Sequence, residues 1–288
     1  MISKSLSARI KDISTGDYCE IPFPWTVLTN ASKALLPGTT TLLCGTPGAS
    51  KSFMILQCLL HWHSEGIKAC VYELEEDKEF HTLRVLAQKS DLSGISDITW
   101  VNENYEQASR IIEDNTEFID EFAKSMWTSE VLPELGDVAR WCEARAKEGY
   151  RVICVDPITA VPCVNGKPWV EENVFLQRIK RAAVKYKCSM LLVTHPTKVI
   201  GDRPDMASLA GSASYSRFAQ SVLWLEWHEP KESRVQTSIG AVDYEHNRTI
   251  HVLKARNGRG QGVRLAYTFE HKNLTMTEHG PIVKRERQ

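Results

Sequence analysis

The chain has 288 residues, room for one large α/β domain with short flanks and far more than a peptide module. Its 42% hydrophobic and 25% charged residues are ordinary for a globular protein and exclude a mainly disordered chain. Lys and Arg number 35 and Asp and Glu 36, so the net charge is −1 and any nucleic-acid contact must be local rather than a uniformly basic surface. Residues 1–36 are weakly periodic and read as an N-terminal flank and linker, with the proline pair of 21–25 as an extended connector. Pro37-Gly38 marks a turn. Residues 39–45 then form a short β-prone run that opens into a Gly-rich loop, and 52–62 continue without a breaker as a buried helix.

The same alternation repeats downstream. Strands are expected at 68–75, 97–101, 151–156 and 188–195, and helices at 77–89, 135–149 and 170–187. The acidic segment 104–133 fits neither pattern and reads as an insertion or a partner surface. Strands at 221–227, 249–255 and 263–270 follow, the last two joined by NGRGQG as an antiparallel hairpin at the sheet edge. Residues 271–288 read as a basic, frayed C-terminal tail. Strands alternating with helices predict a mostly parallel central sheet flanked by helices, in one domain over 37–270.

Eight cysteines are scattered, with no CxxC pair. Cys44, Cys70 and Cys154 lie inside apolar runs, so they read as buried, reduced thiols of a cytoplasmic protein. The first 14 residues lack a signal-peptide core, and no run approaches the ~20 apolar residues of a membrane span.

The strongest motif is GTPGASKS: Gly45, Thr46, Pro47, Gly48, Ala49, Ser50, Lys51 and Ser52. It has the P-loop layout G-x-x-x-x-G-K-[ST], with Ser50 in place of the second glycine. Such a loop wraps backbone N–H groups around a phosphate chain, and the following helix aims its N-terminal dipole at the same anion. Lys51 would neutralise the β- and γ-phosphates of ATP, and the Ser52 hydroxyl would hold Mg²⁺. A plain Gly/Ser turn explains neither the Lys-Ser pair nor the strand before it. Asp156 ends an apolar strand, at the sheet edge where α/β proteins bind ligands, and is the second residue expected to hold Mg²⁺, through water. Glu75 stands just past the strand that follows the P-loop helix. It is either the carboxylate that polarises the attacking water or one member of a solvated acidic turn with Glu73, Glu76, Asp77 and Glu79. His195 falls at another strand exit, as a γ-phosphate sensor or a structural histidine. Lys254 and Arg256 alternate on one strand, either guarding an edge or reaching a neighbouring subunit's nucleotide.

Taken together, the ordered set resembles the RecA-like P-loop NTPases of the ring-forming helicase group, closest to RepA-type plasmid helicases and the helicase domain of DnaB. The resemblance covers roughly residues 25–270. It implies a catalytic role for Glu75 with Lys51, adenine packing by Arg84, Asp156 on Mg²⁺, His195 as sensor, and a trans-acting pair in Lys254 and Arg256, followed by Asn257 and Gly258. The RepA-type arginine finger aligns with Gln220, so Arg256 is the first choice for that role and Arg217 the second. It also implies a hexameric ring on single-stranded DNA. That strand would meet loops near 159–169 and 197–214, through Lys167, Lys198 and Arg203. Other replication proteins are expected partners, and a membrane is not. A RecA/RadA-type recombinase or mediator and a KaiC-like regulatory or loader ATPase are the competing readings, with a metabolic kinase behind them.

Overall fold

The computed structural model describes residues 2–164, 166–197, 204–209 and 213–284; of Ala213 only the backbone is described. In chain order the elements are α1 (Ile2–Ser14), α2 (Thr26–Ser32), β1 (Thr40–Cys44), α3 (Lys51–Ser64), β2 (Ala69–Glu73), α4 (Lys78–Ser90), α5 (Ile98–Glu103), α6 (Tyr105–Asp114), α7 (Thr116–Phe122), β3 (Met126–Trp127), α8 (Leu135–Lys147), β4 (Val152–Asp156), α9 (Pro168–Tyr186), β5 (Ser189–Thr194), α10 (Ala213–Phe218), β6 (Ser221–Thr237), β7 (Gly240–Ala255), β8 (Arg264–Glu270) and β9 (Thr275–Pro281). One sheet holds all nine strands in the order β3-β2-β4-β5-β1-β6-β7-β8-β9. Pairing from β3 to β6 is parallel, and from β6 to β9 antiparallel.

The parallel strands are buried on both faces, which is why they read as unbroken apolar runs. Successive side chains divide between two cores. Leu43, Val152 and Cys154 pack with α3. Leu42, Cys44, Ile153 and Val155 pack with α8 and α9. All eight cysteines are unpaired, and six of them are buried. Among the described residues no helix is long and apolar enough to cross a membrane.

Three expectations need correction. Residues 97–101 are not a strand: Asp97 caps α5, its carboxylate accepting from the Trp100 N–H at 2.8 Å, a local signal stronger than the β-propensity of Ile98 and Val101. The 104–133 segment, which fitted neither pattern, holds α6, α7 and β3. The N-terminal flank is part of the core, since Ile21, Phe23, Trp25 and Leu28 are buried beside α3. The Trp25 indole N–H donates to the Met276 carbonyl at 3.0 Å. That carbonyl belongs to β9, so the sheet edge lies one strand beyond the expected hairpin and the presumed tail is paired as far as Pro281.

Candidate nucleotide-binding site

The end of β1 runs through 45–50 directly into α3. Gly45 is required by space, because a Cβ there would stand 2.4 Å from the Leu225 carbonyl oxygen. Gly48 and Ser50 both sit at φ 77°, in the left-handed region. This conformation bends the loop around the open N–H groups of the first turn of α3. Lys51 is 7% exposed, and its Nζ donates to the Gly45 carbonyl at 2.8 Å and the Thr46 carbonyl at 3.1 Å. Its side chain therefore lies folded over the loop it would share with a phosphate. Burial lowers its pKa, and the nearby Asp156 partly restores it.

Three neighbouring strands deliver the remaining groups to the same edge. Asp156 closes β4 and is buried, with the Ser52 hydroxyl near enough to favour its charged form. Burial pushes its pKa up to about 6, against the opposing pull of Ser52 and Lys51. Its Oδ2 has no hydrogen-bond partner. Glu75 lies two residues beyond β2 and projects its Oε1 to 3.4 Å from His195 Nε2, just past β5. The His195 backbone N–H donates to the Thr159 hydroxyl at 3.3 Å. Arg84, on α4, holds its guanidinium 3.8 Å from the Phe80 ring centroid and 4.6 Å from that of Phe53. A cleft of about 250 Å³ is lined by Pro47, Gly48, Ser50, Lys51, Ser52, Phe53, Glu75, Arg84, Asp156 and His195. Every sequence-predicted residue of the phosphate, carboxylate and sensor groups thus has its place at one edge of the sheet.

The expected finger residues lie elsewhere. Cys44 pairs with Trp224 at the loop end of β1, whereas Thr41 pairs with Ser221 and Ser221 with Ala255. Lys254 and Arg256 therefore sit at the opposite sheet edge, about 10 Å away at ~3.3 Å per residue. Neither reaches the loop of its own chain. The Lys254 Nζ donates to the Ser216 carbonyl at 2.8 Å, while Arg256 and Arg217 are exposed. Gln220 is fully engaged: its Oε1 accepts from the Thr40 N–H and the Lys180 Nζ, both at 2.8 Å, and its Nε2 donates to the Phe218 carbonyl. Lys167 is exposed at the N-terminus of α9, with Nζ 5.7 Å from the Trp169 ring. Lys198 and Arg203 lie outside the described residues.

Two groups at the site were not anticipated. Glu73 is not part of a solvated turn: it ends β2, is 3% exposed, and pairs in register with Asp156. Burial and the Asp156 charge raise its pKa well above the carboxylate range. The His81 Nε2 is 3.3 Å from its Oε2, and burial drops that imidazole to about 4. The unbroken apolar run that ends at Glu73 was the available signal. Arg248, on β7, reaches the loop from behind, and no local motif announced it.

A family model described as an AAA domain matches residues 22–200. The chain belongs to this family. The AAA domain match spans the loop, Glu75, Asp156 and His195. Among solved structures, one described as an ATPase domain superposes with a TM-score of 0.69 at 14% identity, covering 95% of this chain and 97% of that one. A DnaB-like replicative helicase, described with its interactions with primase, gives 0.68 at 14% identity over 95% of this chain and 66% of that one. These likenesses establish the RecA-like fold of this AAA domain. No curated protein matches the chain in sequence.

Proposed function

We propose that the chain is an ATP hydrolase driving translocation on single-stranded DNA, a replicative helicase of plasmid or phage type that works in the cytoplasm as a homo-hexameric ring. The observation that carries this reading is the division of the site between two sheet edges. Loop, carboxylates and sensor stand at one edge, and the cations Lys254 and Arg256 at the other. A cation at the far edge can serve only the nucleotide of an adjacent copy, which makes assembly part of catalysis. Helix α1 supports assembly, since Ile2, Leu6, Ile10 and Ile13 are all exposed along it. Lys167 and Trp169 offer a charge and a stacking face to a strand in the channel. Primase-like replication proteins are candidate partners by analogy with the DnaB-like structure.

The residues suit MgATP. Among the described residues no three His, Cys, Asp or Glu side chains could hold a metal ion. A cation here would take one or two protein oxygens and complete its shell with phosphates and water, which is the habit of Mg²⁺. The Ser52 hydroxyl and the unpartnered Asp156 Oδ2 are the hard oxygen donors. Bound Mg²⁺ would neutralise charge on the β- and γ-phosphates. Lys51 moves from the loop carbonyls to the same phosphates. Glu75 accepts a proton as the water oxygen bonds to the γ-phosphorus and the bridging oxygen leaves with ADP. His195, in contact with Glu75, senses whether the γ-phosphate is present.

The test is strand separation on a forked DNA with ATP and Mg²⁺, with Lys51→Ala as the blank. ATP-dependent unwinding by wild type alone is expected. Hydrolysis stimulated by single-stranded DNA without unwinding would shift the reading to a recombinase or mediator. Hydrolysis indifferent to DNA would shift it to a regulatory or loader ATPase.

A further inference from the structure

Arg248 stands out because a buried cation has been brought to the back of an anion-binding loop without a carboxylate to balance it. The side chain starts on β7, opposite Trp227 on one side and Tyr267 on the other. It is 3% exposed. Its Nε donates to the Ala49 carbonyl at 3.2 Å, its Nη2 to the Ser50 hydroxyl at 3.0 Å, and its Nη1 to the Asn247 carbonyl at 2.9 Å. The guanidinium carbon lies 5.2 Å from the Phe269 ring centroid. Among the described residues no Asp or Glu forms an ion pair with it. Burial lowers its pKa only to about 10, so the group stays charged at neutral pH. A buried charge is retained where something neutralises it, and the phosphate-binding loop lies directly against this one.

One of the two residues it grips, Ser50, is also the unusual part of the loop. Ser50 stands where the P-loop layout has glycine, yet it keeps the left-handed backbone that glycine would adopt, at φ 77° and ψ 29°. A serine held there needs an outside contact to fix it. The Arg248 fork supplies two, one to the serine hydroxyl and one to the preceding carbonyl.

We infer that Arg248 and Ser50 form a clamp in which Arg248 is a positioning residue for ATP, holding the loop's left-handed bend from behind and setting a buried positive charge beneath the phosphates. Serine in place of glycine is then not a degenerate P-loop but one half of a pair. The inference rests on the nucleotide-site reading above and makes separate claims. Loss of the clamp weakens ATP binding and raises KM, with kcat at saturation little changed, because Arg248 touches neither the water nor the leaving oxygen. Glycine at 50 needs no clamp to hold its backbone, so the two positions are energetically coupled.

The experiment measures binding of N-methylanthraniloyl-ATP with Mg²⁺, and steady-state hydrolysis, for the full chain and its Arg248→Met, Arg248→Lys, Ser50→Gly, Ser50→Ala and Arg248→Met/Ser50→Gly variants. Wild type should bind. Arg248→Met should bind about tenfold more weakly with kcat within about threefold, Arg248→Lys should recover part of the loss, and Ser50→Gly should cut the Arg248→Met deficit by at least threefold. Ser50→Ala removes only the hydroxyl and should weaken binding severalfold, and Ser50→Gly, which relieves the left-handed backbone as it loses that hydroxyl, should weaken it less, which keeps the test alive should Arg248→Met fail to fold. Arg248→Met or Ser50→Ala binding within twofold of wild type, or an Arg248→Met deficit that Ser50→Gly leaves unchanged, would overturn the clamp. Wild type failing to bind the probe would instead remove the nucleotide site itself.

Discussion

Replacing Asp156 with Asn should stabilise the nucleotide-free protein while disabling it. Asp156 is buried with an unpartnered Oδ2, and burial lifts its pKa from 3.8 to about 6 even with Lys51 and Ser52 nearby. A carboxyl whose pKa is raised on folding holds its proton more tightly in the native state. Its contribution is favourable below the unfolded value and is lost as pH rises through the folded one. At 1.36 kcal/mol per pH unit, the rise from 3.8 to about 6 is worth about 3 kcal/mol of destabilisation above pH 6. Asparagine has nearly the same shape and no charge to bury. For a chain of this size about 2 °C of melting temperature corresponds to each kcal/mol, so Asp156→Asn should melt about 6 °C above wild type at pH 8. The gain should shrink to nothing near pH 4, where wild-type Asp156 is protonated. Adding MgATP should reverse the order, because only the carboxylate helps hold the ion. Melting curves at pH 4, 6 and 8, with and without MgATP, decide it. A variant melting at or below wild type at pH 8 without nucleotide would refute the claim that the carboxylate is stored at a cost in stability.

Two other outcomes can be stated. If Arg256 serves an adjacent subunit, titrating Arg256→Ala chains into wild type should reduce hydrolysis more steeply than dilution, and a linear fall would place the finger elsewhere. Gly258→Ala would put a Cβ 2.1 Å from the Ala31 carbonyl oxygen, a backbone atom that cannot step aside, and Gly260 N–H also bonds that carbonyl at 2.9 Å. It should cost about 2–4 kcal/mol, read as a melting temperature lower by about 4–8 °C, and an unchanged melt would count against this packing.

The residues that could be read from sequence are those whose position follows from chain direction alone. In a parallel sheet every strand exits at the same edge, so a strand ending at Asp156, one ending before Glu75 and one ending before His195 must converge beside the loop that follows β1. No knowledge of strand order is needed for that. The remoteness of Lys254 and Arg256 from their own loop follows from β7 running against β6, which the sequence pattern did not assign. What failed were judgements on short segments, where a single cap outweighs several β-formers, as at Asp97, and on flanks whose apolar residues are too sparse to show a period, as at Ile21 and Trp25.

Arg248 was illegible for a different reason. It meets Ser50 across 198 positions, and the meeting depends on β7 lying second from β1 in the sheet and on the register that carries Arg248 to the level of the loop. Neither is encoded within a window of local sequence. The half that was legible, serine in place of glycine, looked like a departure that weakened the motif. With its partner in view it becomes a constraint: a left-handed serine that forms a hydrogen bond to a buried guanidinium ties the phosphate loop to the antiparallel half of the sheet. The same half carries Lys254 near, and Arg256 just past, the C-terminal end of the strand that holds Arg248 at its middle. One strand, β7, therefore touches the loop of its own chain at Arg248, holds Lys254 against the Ser216 carbonyl and leads directly into the exposed Arg256, so a shift of β7 along its axis would be felt at both places at once.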